Sequence, residues 1–231
     1  MNKTRRNERV DVLVDKNQLA QKIDHTLLKA DATEQAIRTV CQEAIDYNTA
    51  SVCVNSYWVP IVHELLEETK INTVAVVGFP LGAMSTESKT FEAKNAIDNG
   101  ADEIDMVMNI GQMLSGNYDE VLNDIKSVAD VVHDSDKVLK VILENALIGK
   151  DLIEKACHLA EEAGADYVKT STGFSTSGAK LEDVELMRKS VSPHVKIKAA
   201  GGIRDKETAI KMLKAGADRL GLSSTLTILA E

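Results

Sequence analysis

Three times along this chain a helical stretch closes on Gly-Ala-Asp and an apolar run follows at once. The joints are Asn99-Gly-Ala-Asp102, Ala163-Gly-Ala-Asp166 and Ala215-Gly-Ala-Asp218. Glycine suits a helix C-terminus because it enters the left-handed region without a Cβ penalty. Repetition of one helix-to-strand joint predicts a repeated βα architecture. The rest of the chain alternates in the same way. Short runs rich in Val and Ile lie at 23–28, 51–55, 73–79, 103–109, 137–144, 167–171, 195–201 and 219–223. Such runs read as strands buried on both faces. Between them fall helical stripes, such as Ile37, Val40, Cys41, Ala44 and Ile45, or Val121, Leu122, Ile125, Val128, Ala129 and Val132. Leu152, Ile153, Ala156, Cys157 and Ala160 form another. Helix caps are expected at Asp31 or Thr33, at Ser56 ahead of Pro60, at Ser85 or Thr86, and at Asp205.

Eight strand candidates, each followed by a helix candidate, in 231 residues predict an α/β fold, a single closed (β/α)8 TIM barrel. A doubly wound open sheet is the alternative. It wants a glycine-rich turn after its first strand, whereas Leu28-Lys29-Ala30-Asp31 stands here. No linker interrupts the pattern, so the barrel domain is placed at 17–231 and residues 1–16 are read as an N-terminal tail. That tail lacks the apolar core of a signal peptide and carries Glu8, Asp11 and Asp15, which a transit peptide avoids. A net charge of −9 without a dense basic run argues against nucleic acid as a partner. No apolar run approaches the ~20 residues that cross a bilayer, so no membrane partner is expected. Cys41, Cys53 and Cys157 form no CxxC pair, which favours a reducing cytoplasm over a disulfide framework.

In a barrel the chemistry sits at the C-terminal ends of the strands. Polar residues inside otherwise apolar strands are therefore the candidates, since each is costly there unless paired or used. Lys169 and Lys198 lie late in neighbouring strands, ~4.8 Å apart laterally. Two ammonium groups that close depress at least one pKa and yield a nucleophilic amine, as Schiff-base chemistry requires. The competing reading is a lysine merely paired with a buried carboxylate. Asp105 shares a face with Glu103 and Val107 and can relay protons near the lysines. Lys140 and Glu144 are expected to share a face and to form the counter-ion set for the Lys169 and Lys198 pair, and Asp24 to serve likewise across the closure. Gly173, Gly201-Gly202 and Gly221-Leu222-Ser223-Ser224 follow the sixth, seventh and eighth strands. Backbone N–H groups there, with a helix N-terminus, suit a phosphate. Cys53 either lines the pocket or is a buried apolar-like thiol. His25, His63, His133, His158 and His194 form no HxH or HExxH, and no GxSxG occurs, so neither a metal nor a serine nucleophile is expected.

Several of these segments together resemble the deoxyribose-phosphate aldolase family. They are Asp24-His25-Thr26-Leu27-Leu28, Ser51-Val52-Cys53-Val54-Asn55, Val77-Gly78-Phe79-Pro80-Leu81-Gly82, Glu103-Ile104-Asp105-Met106-Val107, Val168-Lys169-Thr170-Ser171-Thr172-Gly173-Phe174 and Lys198-Ala199-Ala200-Gly201-Gly202-Ile203-Arg204. They span Asp24 to Ser224 in the family's order. The resemblance implies a metal-independent, cofactor-free class I aldolase that interconverts 2-deoxy-D-ribose 5-phosphate with acetaldehyde and D-glyceraldehyde 3-phosphate in deoxynucleoside breakdown. It implies that Lys169 forms the Schiff base, that Lys198 perturbs Lys169 and moves protons, and that Asp105 donates and accepts protons with water. Lys140, Asp24, Thr172 and Cys53 would support them. Gly173, Gly201, Gly202, Ser223 and Ser224 would hold the phosphate. A homodimer in the cytoplasm is compatible with the resemblance. Ser177-Gly178-Ala179-Lys180 departs from the commoner Gly-Gly-Ala-Thr run. The chain ends seven residues past Ser224, without the longer tail of some members, so no tail lid is expected. Two rivals stand beside this reading: another phosphosugar barrel, such as an isomerase that needs no imine, and a barrel that binds a sugar phosphate without turnover.

Overall fold

The computed structural model describes residues 15–230, so the expected 1–16 tail lies almost wholly outside the described residues. The strands are β1 (Ile23–Leu27), β2 (Ser51–Asn55), β3 (Asn72–Val77), β4 (Glu103–Val107), β5 (Val138–Ile142), β6 (Tyr167–Lys169), β7 (Lys196–Ala200) and β8 (Arg219–Leu222). All neighbours pair in parallel, in sequence order, and β8 returns to β1 to close the barrel. The open-sheet alternative is thereby excluded. Around it run α1 (Lys16–Ala20), α2 (Glu34–Tyr47), α3 (Val59–Leu66), α4 (Thr86–Asp98), α5 (Ile110–Leu114), α6 (Tyr118–His133), α7 (Asn145–Ile148), α8 (Lys150–Glu162), α9 (Leu181–Ser190), α10 (Lys206–Lys214) and α11 (Thr225–Ala230). The expected stripes face inward: Val121, Ile125, Val128 and Val132 of α6 and Ile153, Ala156, Cys157 and Ala160 of α8 are buried against the strands.

The three Gly-Ala-Asp joints share one geometry. Gly100, Gly164 and Gly216 adopt φ of 103°, 94° and 116°. Their N–H groups donate to Ile97, Glu161 and Leu213, and the next alanines donate to Ala96, Ala160 and Met212. This paired bonding satisfies the last carbonyls of α4, α8 and α10. The aspartate then fastens the new strand to the one before it. Asp102, Asp166 and Asp218 donate their N–H to the carbonyls of Thr73, Leu139 and Ile197. Their carboxylates accept the N–H of the same three residues at 3.0, 2.8 and 2.9 Å. The repeat thus sets strand register at the N-terminal mouth of the barrel.

Thr33, Ser85 and Asp205 cap α2, α4 and α10 by accepting from Ala36, Ser88 and Thr208. Ser56 does not cap α3. Pro60 preorganises that helix start, and a short 3-10 turn precedes it. The Ser56 hydroxyl donates instead to Glu92, whose other oxygen accepts from Gly78 N–H. Lys89 and Asp124, buried between α4 and α6, form an ion pair at 2.5 Å. Among the described residues no helix is long and apolar enough to cross a membrane.

Candidate active site

Parallel register places the polar strand residues at defined depths. Lys169 and Lys198 are direct partners across β6 and β7, and Asp105 and Lys140 across β4 and β5. All four side chains turn into the barrel and are essentially fully buried. Asp105 is their common partner. Its Oδ1 accepts from Lys140 Nζ at 2.8 Å, and its Oδ2 accepts from Lys169 at 2.7 Å and Lys198 at 2.6 Å. Lys198 also pairs with Asp24, which accepts from Ser51 at 2.7 Å and from Arg219 at 2.6 Å. Lys140 also pairs with Glu103, which accepts from Asn72 at 2.7 Å. Tyr167 lies beneath, with Lys140 5.8 Å and Arg219 5.9 Å from its ring. Gly221 makes room for this column, because a Cβ there would sit 2.9 Å from Lys198 Cε.

The charges in the column do not match. Four basic groups (Lys140, Lys169, Lys198, Arg219) face three carboxylates (Asp24, Glu103, Asp105). Lys140 and Lys198 each touch two carboxylates, whereas Lys169 touches one. Burial opposes charge on all three lysines. For Lys140 and Lys198 the paired carboxylates overcome it and hold the ammonium above its ordinary range. For Lys169 burial wins, assisted by the Lys198 charge and opposed by Asp105, and its pKa falls. Burial also pushes the Asp105 carboxyl up, but Lys140, Lys169 and Lys198 together hold it well below the usual range. Asp24 is lowered in the same way by Lys198 and Arg219 against burial. Lys169 is thus the member of the column that gives up its proton most readily, and desolvation, ahead of Lys198, is the main cause.

Lys169 also reaches a cavity of about 320 Å³ at the C-terminal mouth. Gly173, Gly201, Gly202, Ser223 and Ser224 all line it, as does Thr172. The glycines are close-packed. A Cβ on Gly178 would lie 2.1 Å from the Gly201 carbonyl oxygen. Ala179 N–H donates to the carbonyls of both Ala200 and Gly201. The divergent Ser177–Lys180 run is therefore docked on the β7 loop, with glycine retained at the point of contact. Ser223 and Ser224 stand directly before α11, so the expected helix N-terminus lies at the cavity wall. Lys29 and Arg204 also line the cavity; Lys29 follows the Asp24–Leu28 segment and Arg204 closes the Lys198–Arg204 one, yet the sequence reading gives neither a role.

Cys53 packs with Leu28, Val74, Val76 and Phe79, and burial pushes its thiol up to about 11, as a buried apolar-like cysteine requires. Glu144 is not a counter-ion of the Lys169 and Lys198 pair. It follows β5 in a left-handed conformation, φ 54°, and its carboxylate turns to Thr172. Arg219 was missed because its partners are remote, with Asp24 lying 195 residues away along the chain. Period-2 alternation with Gly221 is the signal that could have found it. Among the described residues no group of three or more His, Cys, Asp or Glu could hold a metal ion.

A parallel barrel that brings one easily deprotonated lysine to the floor of a glycine-lined cavity has the equipment of a carbonyl-condensing enzyme. Residues 18–229 match the DeoC/LacD family aldolases, and the chain belongs to that family. It is a carbon–carbon lyase of the aldolase kind. It is 54% identical to the deoxyribose-phosphate aldolase of Clostridium novyi over 206 residues, covering 89% of this chain and 92% of the relative. It is 50% identical to that of Caldicellulosiruptor saccharolyticus, covering 94% and 99%. The tetrameric deoxyribose phosphate aldolase of Aeropyrum pernix superposes with a TM-score of 0.88 at 33% identity, covering 94% of this chain and 92% of that one.

Proposed function

We propose that this enzyme reversibly cleaves 2-deoxy-D-ribose 5-phosphate to acetaldehyde and D-glyceraldehyde 3-phosphate through an imine on Lys169. The observation that carries the reading is Lys169 itself: buried, lowered in pKa, and open to the cavity. Its free amine attacks the C1 aldehyde, and loss of water leaves an iminium. The iminium draws the electrons of the C2–C3 bond as the C3 hydroxyl gives its proton to Asp105 through water. Glyceraldehyde 3-phosphate departs. The enamine is protonated at C2 and hydrolysed, which frees acetaldehyde and restores the amine. Lys198 keeps Asp105 charged and aimed at Lys169, and Lys140 and Asp24 complete the column. Gly173, Gly201, Gly202, Ser223 and Ser224 hold the phosphate, far from the reacting bond, where binding orients the chain. The iminium is the electron sink, so the reaction calls for no metal or cofactor. In this reading residues 17–231 are the working unit, acting in the cytoplasm as a homo-oligomer such as a dimer. Three buried, free cysteines fit that compartment.

Borohydride reduction with acetaldehyde present tests the assignment. A mass increase is expected on the peptide carrying Lys169. Label on Lys198 or Lys140, or no label with full turnover, would overturn it and favour an isomerase or another barrel lysine.

Lys198→Leu should move the pH–rate profile toward alkali. Lys198 lowers the Lys169 pKa, so its removal lets that pKa rise, and each unit regained costs about tenfold in free amine at neutral pH. The fold should persist, since Asp24 keeps Arg219 and Ser51, and Asp105 keeps Lys140 and Lys169. A variant with the wild-type profile would leave desolvation as the whole cause.

A further inference from the structure

The end of β5 carries an irregularity that the reaction above does not use. Leu143 N–H donates to the Lys169 carbonyl, and Asn145 N–H donates to the very next one, that of Thr170. Beyond the last ladder pair, Ile142 and Lys169, two residues advance on one side for one on the other, so Glu144 is an extra residue where the chain leaves β5 for α7. An extra residue at such a place re-aims its side chain, as a bulge does within a ladder. The left-handed backbone, φ 54°, is uncommon for a residue with a Cβ. It sends a carboxylate that is only 1% exposed toward the loop after Lys169. There Oε2 accepts from both the hydroxyl and the N–H of Thr172. Oε1 has no hydrogen-bond partner among the described residues. A buried, half-used carboxylate on a strained backbone is costly.

A threonine hydroxyl has one hydrogen and two lone pairs. Here the hydrogen goes to Glu144, and one lone pair receives Phe174 N–H at 3.0 Å. One lone pair is left, and Thr172 lines the cavity. A phosphate oxygen that carries no hydrogen gains nothing from it, whereas a sugar hydroxyl can donate to it. We propose that Glu144 is a positioning and specificity-determining residue: by taking the Thr172 hydrogen it makes Thr172 an acceptor that selects substrates with a hydroxyl next to the bond being made or broken. It also fixes the Gly173–Phe174 turn, whose Phe174 ring meets Phe79 edge-on at 5.3 Å.

This rests on the aldolase reading of the cavity. The test is condensation of acetaldehyde with glyceraldehyde 3-phosphate, compared with 3-oxopropyl phosphate, the same acceptor without its hydroxyl. Wild type should prefer the hydroxylated acceptor. Glu144→Ala should lose about tenfold in kcat/KM for that acceptor, the scale of one buried hydrogen bond, and change little for the other. Glu144→Gln should restore the preference, since its carbonyl can accept both Thr172 donors. Borohydride trapping of acetaldehyde on Lys169 should be unchanged in both. Glu144→Gly, which accepts the left-handed backbone without strain, serves if the alanine variant does not fold, and it should show the same loss. Equal losses on both acceptors, a retained wild-type preference, or failure of the glutamine variant to restore it would overturn the role of Glu144 alone. A wild type that condenses neither acceptor would overturn the aldolase reading with it.

Discussion

Lys169→Leu should lose activity by about 10⁴-fold or more, the scale on which removing a covalent nucleophile acts. No other lysine can take its place. Lys140 and Lys198 are each held protonated by two carboxylates, and neither lines the cavity. The loss should fall on kcat, because the glycine loops proposed to hold the phosphate remain. The variant should fold at least as well as the wild type. The column then keeps three basic groups, Lys140, Lys198 and Arg219, against Asp24, Glu103 and Asp105, and the excess charge is gone. Borohydride trapping and thermal unfolding measured side by side check both halves. Residual turnover within a hundredfold of wild type, with label on a different lysine, would remove Lys169 from the chemistry.

Asp105→Asn should damage catalysis and stability together. Asp105 is the anion that all three lysines share. The amide keeps one acceptor oxygen and sets an NH₂ donor against an ammonium. Breaking one partner out of a buried ion-pair network costs about 3–5 kcal/mol. Neutralisation of Lys169 relieves part of that, so a fall of roughly 2–3 kcal/mol in stability is expected. For a chain this size each kcal/mol is worth about 2–4 °C in Tm. Loss of the proton relay should take a further 10²–10⁴-fold from kcat, the usual worth of a positioned acid–base group. The Lys169 pKa should drop further without its carboxylate, so higher pH should not rescue this variant, in contrast to Lys198→Leu. Near-normal kcat at pH 7 would show that water reaches the C3 hydroxyl without Asp105.

Much of this site was legible in the sequence because a barrel converts linear order into depth. Charged residues inside apolar runs had to face inward, and the matching places of Lys169 and Lys198 became direct partnership across β6 and β7. The glycines that follow the later strands gathered at one mouth for the same reason. Local rules failed where backbone geometry broke the period. Glu144 falls on the face of Lys140 by counting, and the left-handed turn at its own position takes it away. Arg219 was invisible because its worth depends on Asp24 and Glu103, which lie 195 and 116 residues before it. Ser56 has cap chemistry, yet Glu92 competes for its hydroxyl from α4, a contact no local spacing reveals.

The aspartates of the three Gly-Ala-Asp joints fasten β3 to β4, β5 to β6 and β7 to β8, all at the mouth opposite the cavity. Whatever keeps the staves of this barrel aligned there asks nothing of the loops that line the cavity. Those loops are free to drift in sequence so long as their contact points fit, as Ser177–Lys180 does with a glycine against Gly201. Durability is invested at one rim and adaptability at the other, which leaves a barrel of this kind open to new substrates without renegotiating its fold.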